Sequence, residues 1–282
     1  MSDVTLTEAD FYRFRDFFYQ KTGIFFEDNK RYFVDKRIVQ RIADTNHHSF
    51  RGYFTFLRFQ STGEELQALI NSLTVNETYF FRETAQLESL VDETLDELVA
   101  NNPDQLLRIW SIPCSSGEEP YSIVLYLLEH WSQLNNVDIE IIASDIDTEI
   151  LTRAHKGLFS ARAVKNLSAD LINRYFVKQD DGMYQISDDI RQSVRFTKFN
   201  LNNRHDAKKL GKMDVIFCRN LLIYFDDVSR RNAIELFYEQ LNPGGILFLG
   251  HSESMSRISS VFKIKRFKKS TGYIKPLKEN VS

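Results

Sequence analysis

The sequence predicts an α/β fold: a mostly parallel, Rossmann-like sheet, preceded by an all-helical region and interrupted by a small β insertion. Three observations carry that prediction. Up to about residue 75, apolar residues recur at helical spacing, with almost no strand signal and no Pro. From about Gln105 onward, short apolar runs alternate with helical stretches, the pattern of crossover units in a sheet buried on both faces. Between Gly157 and Val194 the alternation stops, and two short runs flank Asp180-Asp181-Gly182, a hairpin signal.

Each element follows from its residues. Phe11, Phe14 and Phe18 form one helical stripe, and Thr7 with Glu8 and Asp10 suits the cap before it. Val34, Ile38 and Ile42 form a second stripe. Tyr53, Phe54 and Leu57 form a third, and Leu66, Leu69, Ile70 and Leu73 a fourth, so four or five short helices are expected. A further helix is expected over about 83–100, stopped by the breaker cluster Asn101-Asn102-Pro103-Asp104. Strands are then expected at 106–112, 139–143, 194–199, 213–218 and 245–250, with helices at 121–131, 148–155 and 227–241. The tail reads as two more strands, 262–267 and 272–275, turning at Lys269-Ser270-Thr271. An antiparallel hairpin closing a parallel sheet is unusual in dehydrogenases. The expected division is 1–75 helical, 76–104 linker and 105–282 sheet domain, with 157–194 as the β insertion.

Composition narrows the function. Of 282 residues, 43% are apolar and 27% charged, an ordinary globular balance. The formal charge of −3 supplies no global cationic excess for nucleic acid or an anionic membrane. Two Cys build no disulfide framework, and no Cys/His spacing suits a metal. The N-terminus lacks a leader pattern, and no apolar run is long enough to span a bilayer, so a cytoplasmic protein is expected. Cys114 and Cys218 end neighbouring strands and read as small buried hydrophobes.

Sheets of this kind bind ligands beyond the carboxyl ends of their strands. The first strand is followed by Pro113-Cys114-Ser115-Ser116-Gly117-Glu118-Glu119-Pro120, a small-residue turn that a ligand can approach. Its single Gly is no G-x-G-x-x-G, and two carboxylates there repel a pyrophosphate, which disfavours a dinucleotide. Glu118 and Glu119 suit a cationic or amine-bearing ligand, or they merely favour a helix N-terminus. After the second strand, Asp145 has two oxygens for ribose hydroxyls, while Asp147 suits a helix cap. After the third, Asn200-Leu201 offers an amide and an apolar side chain to a flat base. After the fourth comes Cys218-Arg219-Asn220-Leu221-Leu222-Ile223-Tyr224-Phe225, and after the fifth Gly250-His251-Ser252-Glu253-Ser254. An adenosine with a methionine tail and a sulfonium satisfies this set.

The segments 76–83 (Asn76-Glu77-Thr78-Tyr79-Phe80-Phe81-Arg82-Glu83), 115–122, 143–147, 217–225 and 250–253 occur in this order. Together they closely resemble the chemotaxis receptor glutamate O-methyltransferase family (CheR-type), from about Thr7 to Ile274. The resemblance implies an N-terminal helical domain and a class I S-adenosylmethionine-dependent methyltransferase sheet carrying a β subdomain. It implies methyl transfer to side-chain carboxylates of receptor glutamates, with S-adenosylhomocysteine as product and no metal. It also implies the cofactor ligands: Asn76, Thr78, Arg82, Glu119, Asp145, Asn200, Leu201, Asn220 and Leu221. The linker must then fold over the cofactor.

A glutamate is ionised at pH 7, so no general base is needed. Arg82 and Tyr224 are therefore expected to orient rather than neutralise the nucleophile. Residues 30–41 carry five cations against Asp35. Lys30, Arg37 and Arg41 share one helical face, which reads either as a solvated face or, as the resemblance implies, as a receptor-docking surface. The compact hairpin at 177–186 favours direct substrate recognition over a tether to the receptor tail. A monomer is expected. The alternative class is a catalytically silent, cofactor-binding receptor adaptor.

Overall fold

The computed structural model describes residues 4–101, 106–255 and 258–277. Four helices come first: α1 (Glu8–Thr22), α2 (Arg31–Asp44), α3 (Phe50–Phe59) and α4 (Glu64–Leu73). A capping box opens α1, with the Thr7 hydroxyl accepting from Asp10 N and the Asp10 carboxylate accepting from Thr7 N. Such a cap contributes about 1 kcal/mol. The four stripes read from sequence meet in one core, where Phe11, Phe14, Phe18, Val34, Ile38 and Tyr53 are fully buried.

The expected helix over 83–100 is two helices, α5 (Thr84–Glu93) and α6 (Leu95–Asn101). Thr94 breaks the run at φ −126°, and its hydroxyl donates to the Ser89 carbonyl. Three members of the breaker cluster, Asn102, Pro103 and Asp104, lie outside the described residues.

Strands and helices then alternate: β1 (Leu107–Ser111), α7 (Glu118–His130), β2 (Ile139–Asp145) and α8 (Thr148–Lys156). The insertion holds β3 (Leu158–Phe159), α9 (Ala169–Tyr175), β4 (Phe176–Lys178), β5 (Tyr184–Ile186) and α10 (Asp188–Gln192). The chain returns through β6 (Val194–Lys198), α11 (Arg204–Leu210), β7 (Met213–Cys218), α12 (Asp227–Gln240), β8 (Leu241–Leu249), β9 (Lys263–Arg266) and β10 (Thr271–Ile274).

The main sheet has seven strands in the order β6-β2-β1-β7-β8-β10-β9. It is parallel from β6 to β8, and β10 runs antiparallel to both β8 and β9. Period-two alternation divides the strands between two cores. Ile109, Ile141, Val215 and Ile246 face the layer of α5 and α7, while Trp110, Ile142, Ile216 and Leu247 face α11 and α12. β3, β5 and β4 form the separate antiparallel sheet of the insertion.

Candidate active site

All the parallel strands present their carboxyl ends along one edge, and the loops there carry most of the residues singled out in the sequence. Asp145 closes β2 and is almost fully buried. Its Oδ2 accepts from Ser115 N at 2.9 Å and its Oδ1 from Asp147 N at 3.0 Å. Burial pushes the Asp145 carboxyl up to about 6, against the pull of those backbone donors. Asp147 caps α8 through Glu149 N and Ile150 N, both at 2.9 Å. Its other oxygen accepts from Thr74 Oγ1 at 2.6 Å and Asn76 Nδ2 at 2.8 Å.

Those last two bonds begin a strap. From Thr74 to Glu83 the chain crosses the carboxyl edge and touches its loops in turn. The Asn76 carbonyl accepts from Ser115 Oγ, and Phe80 N donates to the Ala163 carbonyl of the insertion. Phe81 N donates to Ser122 Oγ on α7, and the Arg82 carbonyl accepts from Arg219 Nη1 at 2.6 Å. Glu83 Oε1 accepts from His251 N. Phe80 anchors the middle of the strap, packed edge-on against Phe159 and Phe176. Phe81, Glu83, Ser115 and Asn220 all hold positive φ, between 48° and 59°. Side chains rarely adopt that conformation, and such residues gather where a site over-determines the backbone.

Arg219 is the residue that the sequence reading missed. It directly follows β7, is 6% exposed, and donates through Nε to Glu119 Oε2. Glu119 Oε1 accepts from Ser111 Oγ at 2.7 Å. The Glu119 charge is therefore compensated within the protein by Arg219. Among the described residues no cation pairs with Glu118: Ser116 Oγ donates to it, and burial raises its carboxyl. Glu83 Oε2 sits 3.9 Å from Arg219 Nη1 with no hydrogen bond, and Gln86 Oε1 is likewise buried and unpaired.

At the next loops, Glu253 Oε2 accepts from Asn220 N at 2.9 Å and Gly250 N at 2.8 Å, and Oε1 from Ile223 N. A Cβ on Gly250 would lie 2.7 Å from that Oε2 and 2.9 Å from Asn220 N, so the turn requires glycine. Leu201 and Leu221 are half-buried against the core on the α11–α12 side. Thr78 is half-buried on the strap. Asn200 turns to the helical domain, donating from Nδ2 to the Lys21 carbonyl at 2.8 Å. Asn202 does the same to the Gln20 carbonyl, and Tyr19 OH donates to Asp226. Phe25 N donates to the Tyr224 carbonyl, which pins that loop from the helical side. The Tyr224 side chain is 38% exposed, and its hydroxyl is raised by burial and lowered by the nearby Arg82 charge. Arg82 donates to the Glu77 carbonyl and lies 5.6 Å from the Tyr79 ring centroid.

The three basic residues expected on one helical face part ways. Lys30 precedes α2, in the 3-10 turn Asp28–Lys30, and is exposed. Arg37 donates to the Ser72 carbonyl at 3.0 Å and lies over Phe33. Arg41 grips Glu65 with two bonds, 3.0 and 2.6 Å, and Glu65 is 4% exposed and also accepts from Tyr53 OH. Arg41→Ala therefore reads as a stability variant. It is expected to cost about 3 kcal/mol in urea unfolding, because it leaves Glu65 buried without its cation.

The site fits an adenosyl sulfonium ligand on its own terms. A buried carboxylate ends the second strand, a single-glycine turn follows the first, and one unpaired acceptor of the strap, Glu83 Oε2, lies 3.9 Å from Arg219. This sheet order, with an antiparallel strand inserted beside the fifth parallel one, and this edge define a class I S-adenosylmethionine-dependent methyltransferase. Residues 76–271 match the family described as "CheR methyltransferase, SAM binding domain", and residues 9–74 match "CheR methyltransferase, all-alpha domain". The chain belongs to the CheR methyltransferase family. It is 72% identical to "Chemotaxis protein methyltransferase 2" of Vibrio cholerae over 278 residues, covering 99% of this chain and 96% of that protein. It is 34% identical to "Chemotaxis protein methyltransferase" of Escherichia coli over 265 residues, covering 93% of this chain and 90% of that one. Among the described residues no cluster suits a metal, and no helix is long and apolar enough to cross a membrane.

Proposed function

We propose that the protein transfers the methyl group of S-adenosylmethionine to glutamate side-chain carboxylates of chemotaxis receptors, leaving a methyl ester and S-adenosylhomocysteine. The observation that carries this reading is the strap. It joins the helical domain to the sheet, runs over the carboxyl edge from Asp147, which Asn76 holds, to Arg219, which holds the Arg82 carbonyl, and brings the Arg82 charge near Tyr224. Bound there, S-adenosylmethionine supplies an electrophilic methyl on a good leaving group. Asp145 takes the ribose hydroxyls, and Asn76, Thr78, Arg82, Glu119, Asn200, Leu201, Asn220 and Leu221 complete the binding shell. For Asn200 that role requires releasing the Lys21 carbonyl it now holds.

The nucleophile arrives ionised, since a glutamate has a pKa near 4.3 in water. What the protein adds is approach: aligning oxygen, methyl and sulfur and excluding water, which supplies roughly 7–11 kcal/mol in well-oriented systems. Arg82 and Tyr224 orient the carboxylate at the mouth. Arg82→Ala and Tyr224→Phe are expected to lower kcat about tenfold or more while changing S-adenosylhomocysteine affinity much less. Wild-type turnover in both variants would remove that role. The exposed Lys30 and the half-buried Arg37 steer the acidic receptor, with Arg41 shaping the helix beneath them. The protein acts in the cytoplasm as a monomer, without nucleic acid or metal. The tight turn after β4, where Met183 N donates to Asp181, favours direct recognition over a tail tether.

The deciding experiment incubates the protein with tritiated S-adenosylmethionine and receptor cytoplasmic fragments, then releases methanol with alkali, which reports esters. Cofactor binding without volatile label would leave an adaptor and sink the enzymatic reading.

A further inference from the structure

A cavity of about 350 Å³ opens on the helical domain, away from the strap. Arg13 of α1 faces Arg51, Phe54, Thr55, Arg58 and Phe59 of α3 across it. On α3 these fall at i, i+3, i+4, i+7 and i+8, one face of the helix. Seven arginines lie in the first 75 residues. Four are engaged: Arg15 with Asp28, Arg31 with Asp35, Arg37 with the Ser72 carbonyl and Arg41 with Glu65. The guanidinium groups of the other three, Arg13, Arg51 and Arg58, make no hydrogen bond or ion pair with any described residue, and all three residues line this cavity.

Aromatic rings hold two of them in place. Arg13 lies 5.6 Å from the Phe54 centroid, and Arg58 lies 5.8 Å from Phe54 and 5.6 Å from Phe59. No acid lines the cavity, in a chain where acids outnumber cations. Three like charges left uncompensated beside a Phe59 that is 76% exposed make a surface complementary to carboxylates with an apolar neighbour. Arg and aromatic residues are also the types that dominate binding energy in protein interfaces. The groove is open and follows a helix face, which suits an extended partner. Its position is set by α1, whose last turn meets the carboxyl edge at Gln20 and Lys21. Arg13 stands seven residues back, about 10 Å along the axis. A helix presenting a glutamate at the edge can therefore extend past this groove.

We propose that the α1–α3 groove is a second docking surface, separate from α2, for acidic residues of the receptor helix. The proposal rests on the reading that a receptor is the substrate. The test uses the full chain carrying Arg51→Glu with Arg58→Glu, and separately the Gln pair. A purified receptor cytoplasmic fragment serves as probe, with binding measured by fluorescence anisotropy in S-adenosylhomocysteine and methylation measured by initial rates. The expected result is a receptor Kd and KM raised about tenfold by the Glu pair and less by the Gln pair, with kcat and S-adenosylhomocysteine affinity unchanged and a shallower salt dependence. Unchanged receptor Kd and salt dependence overturns the proposal. So does pyrophosphate binding that the variants abolish while receptor binding stays intact, or a wild-type protein that binds no fragment. A wild-type protein that binds the fragment without methylating it defeats the enzymatic reading, and the binding measurements still decide the groove.

Discussion

Arg219→Leu is expected to destabilise the protein by about 3–5 kcal/mol and to remove most of its affinity for S-adenosylhomocysteine. The side chain is 6% exposed and makes two kinds of contact at once. Its Nε compensates Glu119, and its Nη1 holds the Arg82 carbonyl of the strap. Removing it leaves Glu119 buried without a cation and frees the strap at the point where Phe81 and Glu83 hold positive φ. The two losses separate by substitution. Arg219→Lys keeps a charge but not a fork that serves two directions, so stability largely recovers while cofactor affinity stays about tenfold low. Adding Glu119→Leu to Arg219→Leu restores part of the stability, because the orphaned carboxylate is gone, but not the binding. Urea unfolding and calorimetric titration read the two effects. If the single Leu variant binds cofactor normally, Arg219 does not position the strap.

The sheet was legible because its central strands are short, wholly apolar and bounded by polar turns. β7 is buried at all six positions, and its bounds match those read from the sequence. Elements that depend on distant partners were not. β3 is two residues long and exists only because β5 pairs with it across the insertion. β8 begins at Leu241, four residues before its expected start, through Asn242-Pro243-Gly244-Gly245. The sequence pattern placed no strand over 241–244, but the ladder with β7 absorbs these residues in a register shift between Met213 and Val215. The split at Thr94 left the apolar period almost unbroken, so pattern alone gave no warning. At the site, Asp145 and Asp147 were distinguishable because one ends a buried strand and the other precedes a helix. Arg219 carried a usable signal: an arginine directly after a fully buried strand needs an acid, and Glu119 begins the helix after the neighbouring strand β1. Periodicity placed Arg41 on a basic face but gave no sign of Glu65, 24 residues away, as its partner.

Asp145→Asn is expected to lower S-adenosylhomocysteine affinity about a hundredfold at pH 7.5, from loss of the charged acceptor for the ribose hydroxyls. Its clearer signature is pH dependence. The Asp145 carboxyl ionises near pH 6 in the folded protein and near 3.8 when unfolded. A raised folded pKa means that Asp145 favours folding at low pH, and that this contribution is lost as pH rises through 6. Above that pH the ionised, buried group costs on the order of 3 kcal/mol. Two ribose hydroxyls donating to the ionised form recover part of that cost, so the site is poised to gain from the ligand. Cofactor affinity of the wild type should accordingly rise from pH 5 to about 6.5 and level off above, while stability moves the opposite way. Glu118 and Glu253 are also raised by burial, but Asp145→Asn leaves both in place and serves to separate them. In that variant the affinity profile should flatten over the same window. A wild-type affinity that is level from pH 5 to 7.5, or an Asn variant that keeps the full slope, would show that the ribose does not rest on Asp145.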